Sequence, residues 1–243
     1  MGERGLAAKE ISSIRQQLAL AVRLNDEATF DDFCWTGNTL LQQQLFSALT
    51  NPIGRFFYVW GSPGSGKSHL LQACCHQADL LQHSARYVPL SLLQTWDSAV
   101  LEGMEDHALV AIDDVDRIAG RSDWEEAFFH LYNRICERQA MLIITARVPP
   151  LRMGIRLADL SSRLTSALVT PLYELSDEDK IVTLQVRAQK RGFELSHSVG
   201  QYLVNHCARS MHDLYSVFEC LDNASLVAQR KLTIPFVKQV LGK

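Results

Sequence analysis

The sequence Phe56-Phe-Tyr-Val-Trp60 leads directly into Gly61-Ser-Pro-Gly-Ser-Gly-Lys-Ser68, and the segment that follows, Ser68–Ala78, has helical spacing. A short apolar strand, a glycine-rich turn and a helix are the three parts of a phosphate-binding loop. The glycines let the backbone curl so that N–H groups point at phosphate oxygens, and the helix N-terminus adds a favourable dipole. This stretch therefore predicts a P-loop, which binds a nucleoside di- or triphosphate with Mg²⁺.

The loop contains the predicted cofactor-binding residues. Lys67 is expected to reach the β- and γ-phosphates, and the Ser68 hydroxyl is expected to bind Mg²⁺. The other members of the motif are Gly61, Ser62, Pro63, Gly64, Ser65 and Gly66. A chance glycine-rich turn is the alternative, and the position of the motif between a strand and a helix argues against it. Because P-loops contact phosphates, the motif does not indicate which base is bound.

Short apolar runs alternate with helical segments as far as Tyr173. The predicted strands are Phe56–Trp60, Arg86–Leu90, Leu109–Asp113, Met141–Thr145 and Ala167–Leu172. Such alternation is typical of an α/β fold with a parallel sheet that is covered on both faces. After Tyr173 we expect only helices, beginning with one that Ser176 caps. We therefore predict an arm over residues 1–28, a P-loop α/β domain over residues 29–173 and a small all-helical domain over residues 174–243.

Composition narrows the functional classes. The net charge of −3 argues against a stand-alone DNA-binding protein, which usually has a basic face. No apolar run approaches the ~18–20 residues that span a bilayer, and the N-terminus lacks a signal-peptide core. The six cysteines form no C-x-x-C pair, which favours buried reduced thiols over a metal site or disulfides. We expect a cytoplasmic protein.

Two further strands end in polar residues. In Leu109-Val-Ala-Ile-Asp113-Asp114, Asp113 is expected to hold Mg²⁺ and Asp114 to polarise an attacking water. A surface strand end with incidental acids is the alternative. Thr145 ends the next apolar run, where it could contact the γ-phosphate or the attacking water. A threonine that only terminates the strand is the alternative, and the spacing alone favours it.

These motifs, with Ser162-Arg163-Leu164 and the helical segment that follows, resemble the AAA+ ATPases. Within that class the chain resembles the DnaA-related family, because Thr29-Phe-Asp-Asp-Phe33 is followed by Gly37-Asn38. The resemblance covers roughly residues 29–241. It implies an AAA+ core with a five-stranded parallel sheet of order 5-1-4-3-2, and a helical lid. By analogy, Asn38 is expected near the base.

Within this family the chain is most similar to the Hda branch of DnaA regulators. Arg191-Gly-Phe-Glu-Leu195 and the segment from Ala228 to Lys238 carry the likeness. We expect no DnaA-type DNA-binding domain, since the chain stops soon after the lid. The resemblance implies a bound ADP or ATP with Mg²⁺, and it implies DnaA and the DNA polymerase III sliding clamp (beta subunit) as partners. It also implies nucleoid association through the clamp, with DNA contact indirect or weak, and it leaves self-association through the AAA+ interface open.

The arm contains a candidate clamp-binding peptide, Gln17-Leu18-Ala19-Leu20-Ala21-Val22. In the family such a peptide binds the clamp as an extended segment. Its glutamine, here Gln17, hydrogen-bonds at a pocket mouth, and its aliphatic side chains, here Leu18, Leu20 and Val22, fill an apolar groove. A chance match is the alternative, and the family commonly has proline and leucine at the last two positions.

The resemblance also assigns roles to two basic positions. Arg163 matches an arginine finger that reaches the γ-phosphate in another subunit; a surface arginine in a salt bridge is the alternative. His212 stands where the third lid helix usually carries an arginine facing the nucleotide. A neutral histidine cannot replace a guanidinium charge, so we expect weak or no ATPase activity of its own. Alternatively, His212 is a solvated lid residue and Arg209 compensates.

The favoured function is that of an Hda-like regulator. ADP-bound and attached to the clamp, it would use Arg163 in trans to stimulate hydrolysis of DnaA-bound ATP, preventing re-initiation of chromosome replication. An autonomous AAA+ ATPase of the helicase-loader (DnaC-like) type is the main alternative. A DNA-binding initiator and a small-molecule kinase are weaker ones.

Overall fold

The structure is a computed structural model, and it describes residues 24–93, 96–207 and 210–242. The predicted clamp-binding residues Gln17, Leu18, Leu20 and Val22 lie outside the described residues, as does Arg209. The chain forms two compact units. The first contains Thr39–Ser62 and Lys67–Leu172 with the described residues before Cys34, and the second contains Cys34–Asn38, Pro63–Gly66 and the chain from Tyr173 onward.

The first unit is a parallel sheet with helices. In chain order its elements are α1 (Thr39–Thr50), β1 (Phe56–Trp60), α2 (Lys67–Leu80), β2 (Ala85–Pro89), β3 (Leu109–Asp113), α3 (Ser122–Arg138), β4 (Met141–Ala146), α4 (Ala158–Ser166) and β5 (Leu168–Pro171). The strand order β2-β3-β4-β1-β5 is the expected order, read from the other edge. The predicted α/β fold class with a five-stranded parallel sheet is therefore confirmed.

The centre of this sheet is buried on both sides. Every residue of β3 and of β4 is buried, because helices cover both faces of a parallel sheet. Trp124 and Phe128 of α3 belong to the apolar core formed against these strands. The strands pair in parallel, with Ile112 opposite Ile144 and Val59 opposite Thr145. This packing fixes the carboxyl ends of β1, β3 and β4 at one edge of the sheet.

The second unit is built from helices. They are α5 (Asp177–Lys190), α6 (His197–His206), α7 (Met211–Ala228) and α8 (Ile234–Leu241). A serine or threonine hydroxyl accepts a backbone N–H at the start of each one, as Ser176 does from Asp179. Helices α5 and α6 approach closely at Gly200, where a Cβ atom would lie 2.7 Å from Ile181 Cγ2. The predicted all-helical lid is confirmed.

Some features differ from the expectations. Helices α1 and α4 were not predicted, and β2 begins and ends one residue earlier than expected. The cysteines are free, and Cys74 and Cys75 are buried, but Cys220 is exposed, so the burial prediction is wrong there. Over the described residues, no helix has the length and apolar character needed to cross a membrane.

Candidate functional site

The P-loop leaves β1 and enters α2 with two residues in left-handed backbone geometry. Gly64 has φ +85° and Gly66 has φ +95°. Glycine adopts these angles without a steric cost, which other residues would incur through their Cβ atoms. The N–H of Gly61 donates to the carbonyl of Ala146 at 3.1 Å, so the first residue of the loop is attached to the end of β4.

Lys67 is buried at the start of α2. Its Nζ donates to the carbonyl oxygens of Gly61 and Ser62, each at 2.8 Å. Burial lowers the pKa of Lys67, and the nearby charges of Asp114, Asp113 and Asp116 partly oppose this. Among the described residues its hydrogen-bond acceptors are neutral carbonyls, so this buried ammonium fits an anionic phosphate as its counter-charge.

The Ser65 side chain supplies a second observation. Its Oγ is buried and has no hydrogen-bond partner among the described residues. A buried hydroxyl without a partner is costly unless a ligand or water completes its bonding. Ser65 therefore fits a site for phosphate oxygens.

Asp113 lies at the end of β3 and is 2% exposed. Its Oδ1 accepts a hydrogen bond from the Thr145 hydroxyl and one from the Asp114 N–H, the latter at 3.1 Å. Its Oδ2 accepts from the Tyr87 hydroxyl at 2.8 Å. Three donors thus stabilise the buried carboxylate. Thr145 is itself fully buried, and its Oγ1 also accepts the Asp114 N–H at 3.2 Å, so its hydroxyl orients both acids.

Asp114 follows in a left-handed conformation, with φ 56° and ψ 47°. Aspartate and asparagine tolerate this region better than other residues with side chains. Desolvation raises the pKa of the Asp114 carboxyl, and the charges of Asp113 and Asp116 raise it further, whereas Arg117 and Arg147 oppose the shift. A raised pKa brings a carboxylate closer to the range in which a general base takes a proton from water.

The raised pKa of Asp114 makes stability depend on pH. Folding favours the protonated carboxyl, so this contribution is complete below the unfolded pKa of about 3.9 and is lost as pH rises through the folded value. We expect Asp114→Asn to raise the free energy of unfolding of the nucleotide-free protein at pH 7 by less than about 1 kcal/mol, because the group is half-exposed, and thereby to raise its thermal midpoint. The gain should fade below about pH 4. Scanning calorimetry across pH tests this, and an unchanged or lower midpoint at pH 7 contradicts it.

The predicted metal ligands are Ser68 and Asp113. The Ser68 hydroxyl lies on the first turn of α2, and the Asp113 carboxylate accepts a hydrogen bond from the Tyr87 hydroxyl, which lies near Ser68. No group of three or more histidine, cysteine, aspartate or glutamate side chains that could hold a metal occurs within the described ranges. A site with few protein ligands is consistent with Mg²⁺, because this ion keeps several waters and is also bound by the phosphates of the substrate. The structure thus brings together Lys67, Ser68, Asp113, Asp114 and Thr145.

Arg163 lies elsewhere on the first unit, in the last turn of α4. Its side chain is exposed, and its guanidinium carbon lies 5.9 Å from the centre of the Tyr132 ring. Within the described part of the chain it forms no salt bridge, so the alternative of an ion-paired surface arginine finds no support there.

The start of α4 is held by Glu125, a residue that the sequence analysis missed. Glu125 is 1% exposed, and its Oε2 accepts the N–H groups of Arg156 and Leu157 at 3.0 and 2.8 Å. Its Oε1 accepts the N–H of Gly120 at 2.7 Å. The buried carboxylate therefore fixes the N-terminal end of the helix that presents Arg163.

Asn38 and His212 belong to the second unit. The Asn38 amide is buried, and it donates to the carbonyls of Thr36 and Tyr173 and accepts from the Tyr173 N–H. Its side chain thus pairs with the backbone of Tyr173, and contact with a base stays a prediction. His212 is exposed in the first turn of α7.

Comparison with known proteins gives two matches to protein families. Residues 24–172 match the bacterial DnaA ATPase domain, and residues 177–241 match the lid domain of Hda. An uncharacterized protein of Haemophilus influenzae is 42% identical over 230 residues, which cover 94% of this chain and 100% of that protein.

Two solved structures of DnaA share the fold. Domain III of the replication initiation protein DnaA from Thermotoga maritima aligns with a TM-score of 0.75 at 19% identity, covering 91% of this chain and 98% of that one. AMPPCP-bound DnaA from Aquifex aeolicus aligns with a TM-score of 0.69 at 22% identity. The alignment covers 82% of this chain and 66% of that one.

Proposed function

The chain belongs to the DnaA-related AAA+ family, in its Hda branch, and from this we propose that it stimulates the hydrolysis of ATP bound to DnaA and so prevents re-initiation of chromosome replication. The observation that carries the proposal is Arg163, an exposed arginine on a firmly held helix outside the cluster around Lys67 and Asp113. A guanidinium presented at a surface can stabilise charge on a phosphoryl group in a partner's site.

The chain's own P-loop holds ADP with Mg²⁺ in this proposal. Lys67 would pair with the phosphates, and Ser68 and Asp113 would serve the metal, which supplies electrostatic stabilisation of phosphate charge. The buried ammonium of Lys67 and the unpartnered hydroxyl of Ser65 support a phosphate ligand. With His212 in place of the usual lid arginine, turnover of the chain's own nucleotide is weak or absent.

A second candidate is an autonomous ATPase of the helicase-loader type. Two features of Asp114 favour this candidate. Its backbone N–H is held by hydrogen bonds to Thr145 and Asp113, and the pKa of its carboxyl is raised, as a general base requires. Rapid ATP turnover by the purified chain alone, unaffected by DnaA or clamp, would establish this candidate and exclude the first one.

The proposal also includes binding to the sliding clamp as a partner. The sequence supports this attachment, because clamp-binding peptides combine a glutamine with spaced aliphatic side chains. The corresponding residues here are Gln17, Leu18, Leu20 and Val22. DnaA is the second partner, reached through Arg163. Attachment through the clamp would also bring the chain to replicating DNA without a DNA-binding surface of its own.

The double variant Gln17→Ala/Leu18→Ala tests this attachment. We expect retention on immobilised clamp to fall at least about tenfold, since an anchoring side chain and a hydrogen-bonding amide are lost together. Stimulation of DnaA-bound ATP hydrolysis on DNA-loaded clamp should fall with it. The matched control is Gln16→Ala, one residue before the peptide. Equal retention of the double variant and the wild type would refute clamp binding through this segment.

A further inference from the structure

The hydroxyl of Tyr87 connects β2 to the Asp113 carboxylate at the end of β3. Pro89 of β2 pairs with Asp113 of β3, and Tyr87, two residues earlier in β2, shares the face of the sheet on which Asp113 lies. The Tyr87 hydroxyl donates to Asp113 Oδ2 at 2.8 Å. The Ser68 and Gln72 side chains of α2 lie near this hydroxyl.

The phenol stays protonated throughout the physiological range. A phenol is protonated at physiological pH because its ordinary pKa is about 10, and burial beside the Asp113 carboxylate raises the pKa of Tyr87 further. A neutral phenol always has a proton to donate. Tyr87 is thus a permanent donor to the Asp113 carboxylate.

The two oxygens of Asp113 are held differently. The donors to Oδ1 are Thr145, on the adjacent strand, and the backbone of Asp114. Among the described residues Oδ2 accepts only from Tyr87, so this one hydroxyl fixes the plane of the carboxylate at its second oxygen. A carboxylate oxygen has two lone pairs, so one remains for a metal ion or a metal-bound water.

We propose that Tyr87 is a positioning residue for Mg²⁺: its hydroxyl fixes the orientation of the Asp113 carboxylate, one of the two predicted metal ligands. The inference rests on the proposed binding of nucleotide with Mg²⁺. Partners that orient metal ligands typically change metal affinity by 10–100-fold when they are removed. A tyrosine that only packs in the core would contribute to stability without this effect.

The test is Tyr87→Phe in the full chain, with a fluorescent ADP analogue as the probe. We expect the Kd measured in EDTA to stay within about twofold of the wild type, and the gain in affinity on adding Mg²⁺ to shrink by roughly tenfold or more. At fixed ADP analogue, the half-saturating Mg²⁺ concentration should rise by a similar factor. Neither quantity depends on turnover, so weak ATPase activity does not affect the result.

The matched control is Tyr58→Phe. Tyr58 is also buried in the sheet, and its hydroxyl bonds to the carbonyl of Val148 at 2.8 Å and to Met153 Sδ at 3.4 Å, so the variant loses the bonds of a buried tyrosine hydroxyl without removing a partner of Asp113. The control should keep the wild-type response to Mg²⁺. An unchanged response in Tyr87→Phe overturns the proposal, and so does unfolding of Tyr87→Phe under conditions where Tyr58→Phe stays folded.

The same measurements separate this proposal from the proposed function. A wild-type chain that binds the ADP analogue neither in Mg²⁺ nor in EDTA refutes the nucleotide site itself. Binding that responds to Mg²⁺ in the wild type and equally in Tyr87→Phe retains the nucleotide site and removes only the role of Tyr87.

Discussion

Arg163→Ala is expected to abolish the stimulation of ATP hydrolysis on DnaA while the variant stays folded and binds nucleotide. Arginine fingers contribute ~10³–10⁵ in rate in GTPases, so the stimulated rate should fall at least about 100-fold. The fold should persist because Arg163 is exposed and its side chain contacts only the edge of the core, over the Tyr132 ring. Single-turnover hydrolysis of radiolabelled ATP on DnaA, with DNA-loaded clamp, measures the effect.

Two further variants sharpen this test. Arg152→Ala removes another exposed arginine from the same unit and should stimulate like the wild type. Arg163→Lys keeps the positive charge but lacks the planar fork of donors, so it should restore little activity. Stimulation by Arg163→Ala within about twofold of wild type would exclude the finger role, since a finger accounts for several orders of magnitude.

Glu125→Gln is expected to destabilise the first unit by about 3 kcal/mol, because buried N–H groups left without acceptors cost ~1–3 kcal/mol each. The glutamate oxygens accept three backbone N–H groups, from Gly120, Arg156 and Leu157. An amide of the same shape offers one oxygen and places an NH₂ group against the remaining donors. The start of α4 should loosen, and stimulation through Arg163 should fall along with stability.

Urea unfolding monitored by tryptophan fluorescence measures this change, and hydrogen exchange locates it. Protection should be lost first among the amides of Gly120, Arg156 and Leu157. The matched control is Glu126→Gln, one position along the same helix and exposed, which should change the free energy of unfolding by less than about 0.5 kcal/mol. Equal stability of the two variants would show that the three hydrogen bonds contribute little.

Part of this site follows from the sequence alone. The P-loop and the acids after β3 stand at predicted strand ends, and parallel strands bring their carboxyl ends to one edge of the sheet. For Thr145 the spacing favoured a residue that only terminates the strand, so its hydrogen bond to Asp113 was not expected. The order of the strands could not be obtained in this way, since alternation of strands and helices does not specify which strands pair. It came from the family resemblance.

Tyr87 and Glu125 were missed for different reasons. A tyrosine inside an apolar strand is usually a core residue, and the strand pairing that brings the Tyr87 hydroxyl to Asp113, a predicted metal ligand, is a tertiary property. Glu125 did leave a signal. It shares a helical face with Phe128, Tyr132 and Ile135, which are buried, and a charged residue on an apolar stripe indicates a buried acceptor.

The left-handed backbone at Asp114 restricts the residue types that can occupy this position. Glycine, asparagine and aspartate are the residues that occupy such angles without appreciable strain. Each of them leaves the backbone N–H in place for Thr145 and Asp113, and only aspartate provides a base. Asparagine at this position would remove the proposed base and leave the architecture intact, so relatives with superimposable folds could differ in whether they hydrolyse their own nucleotide.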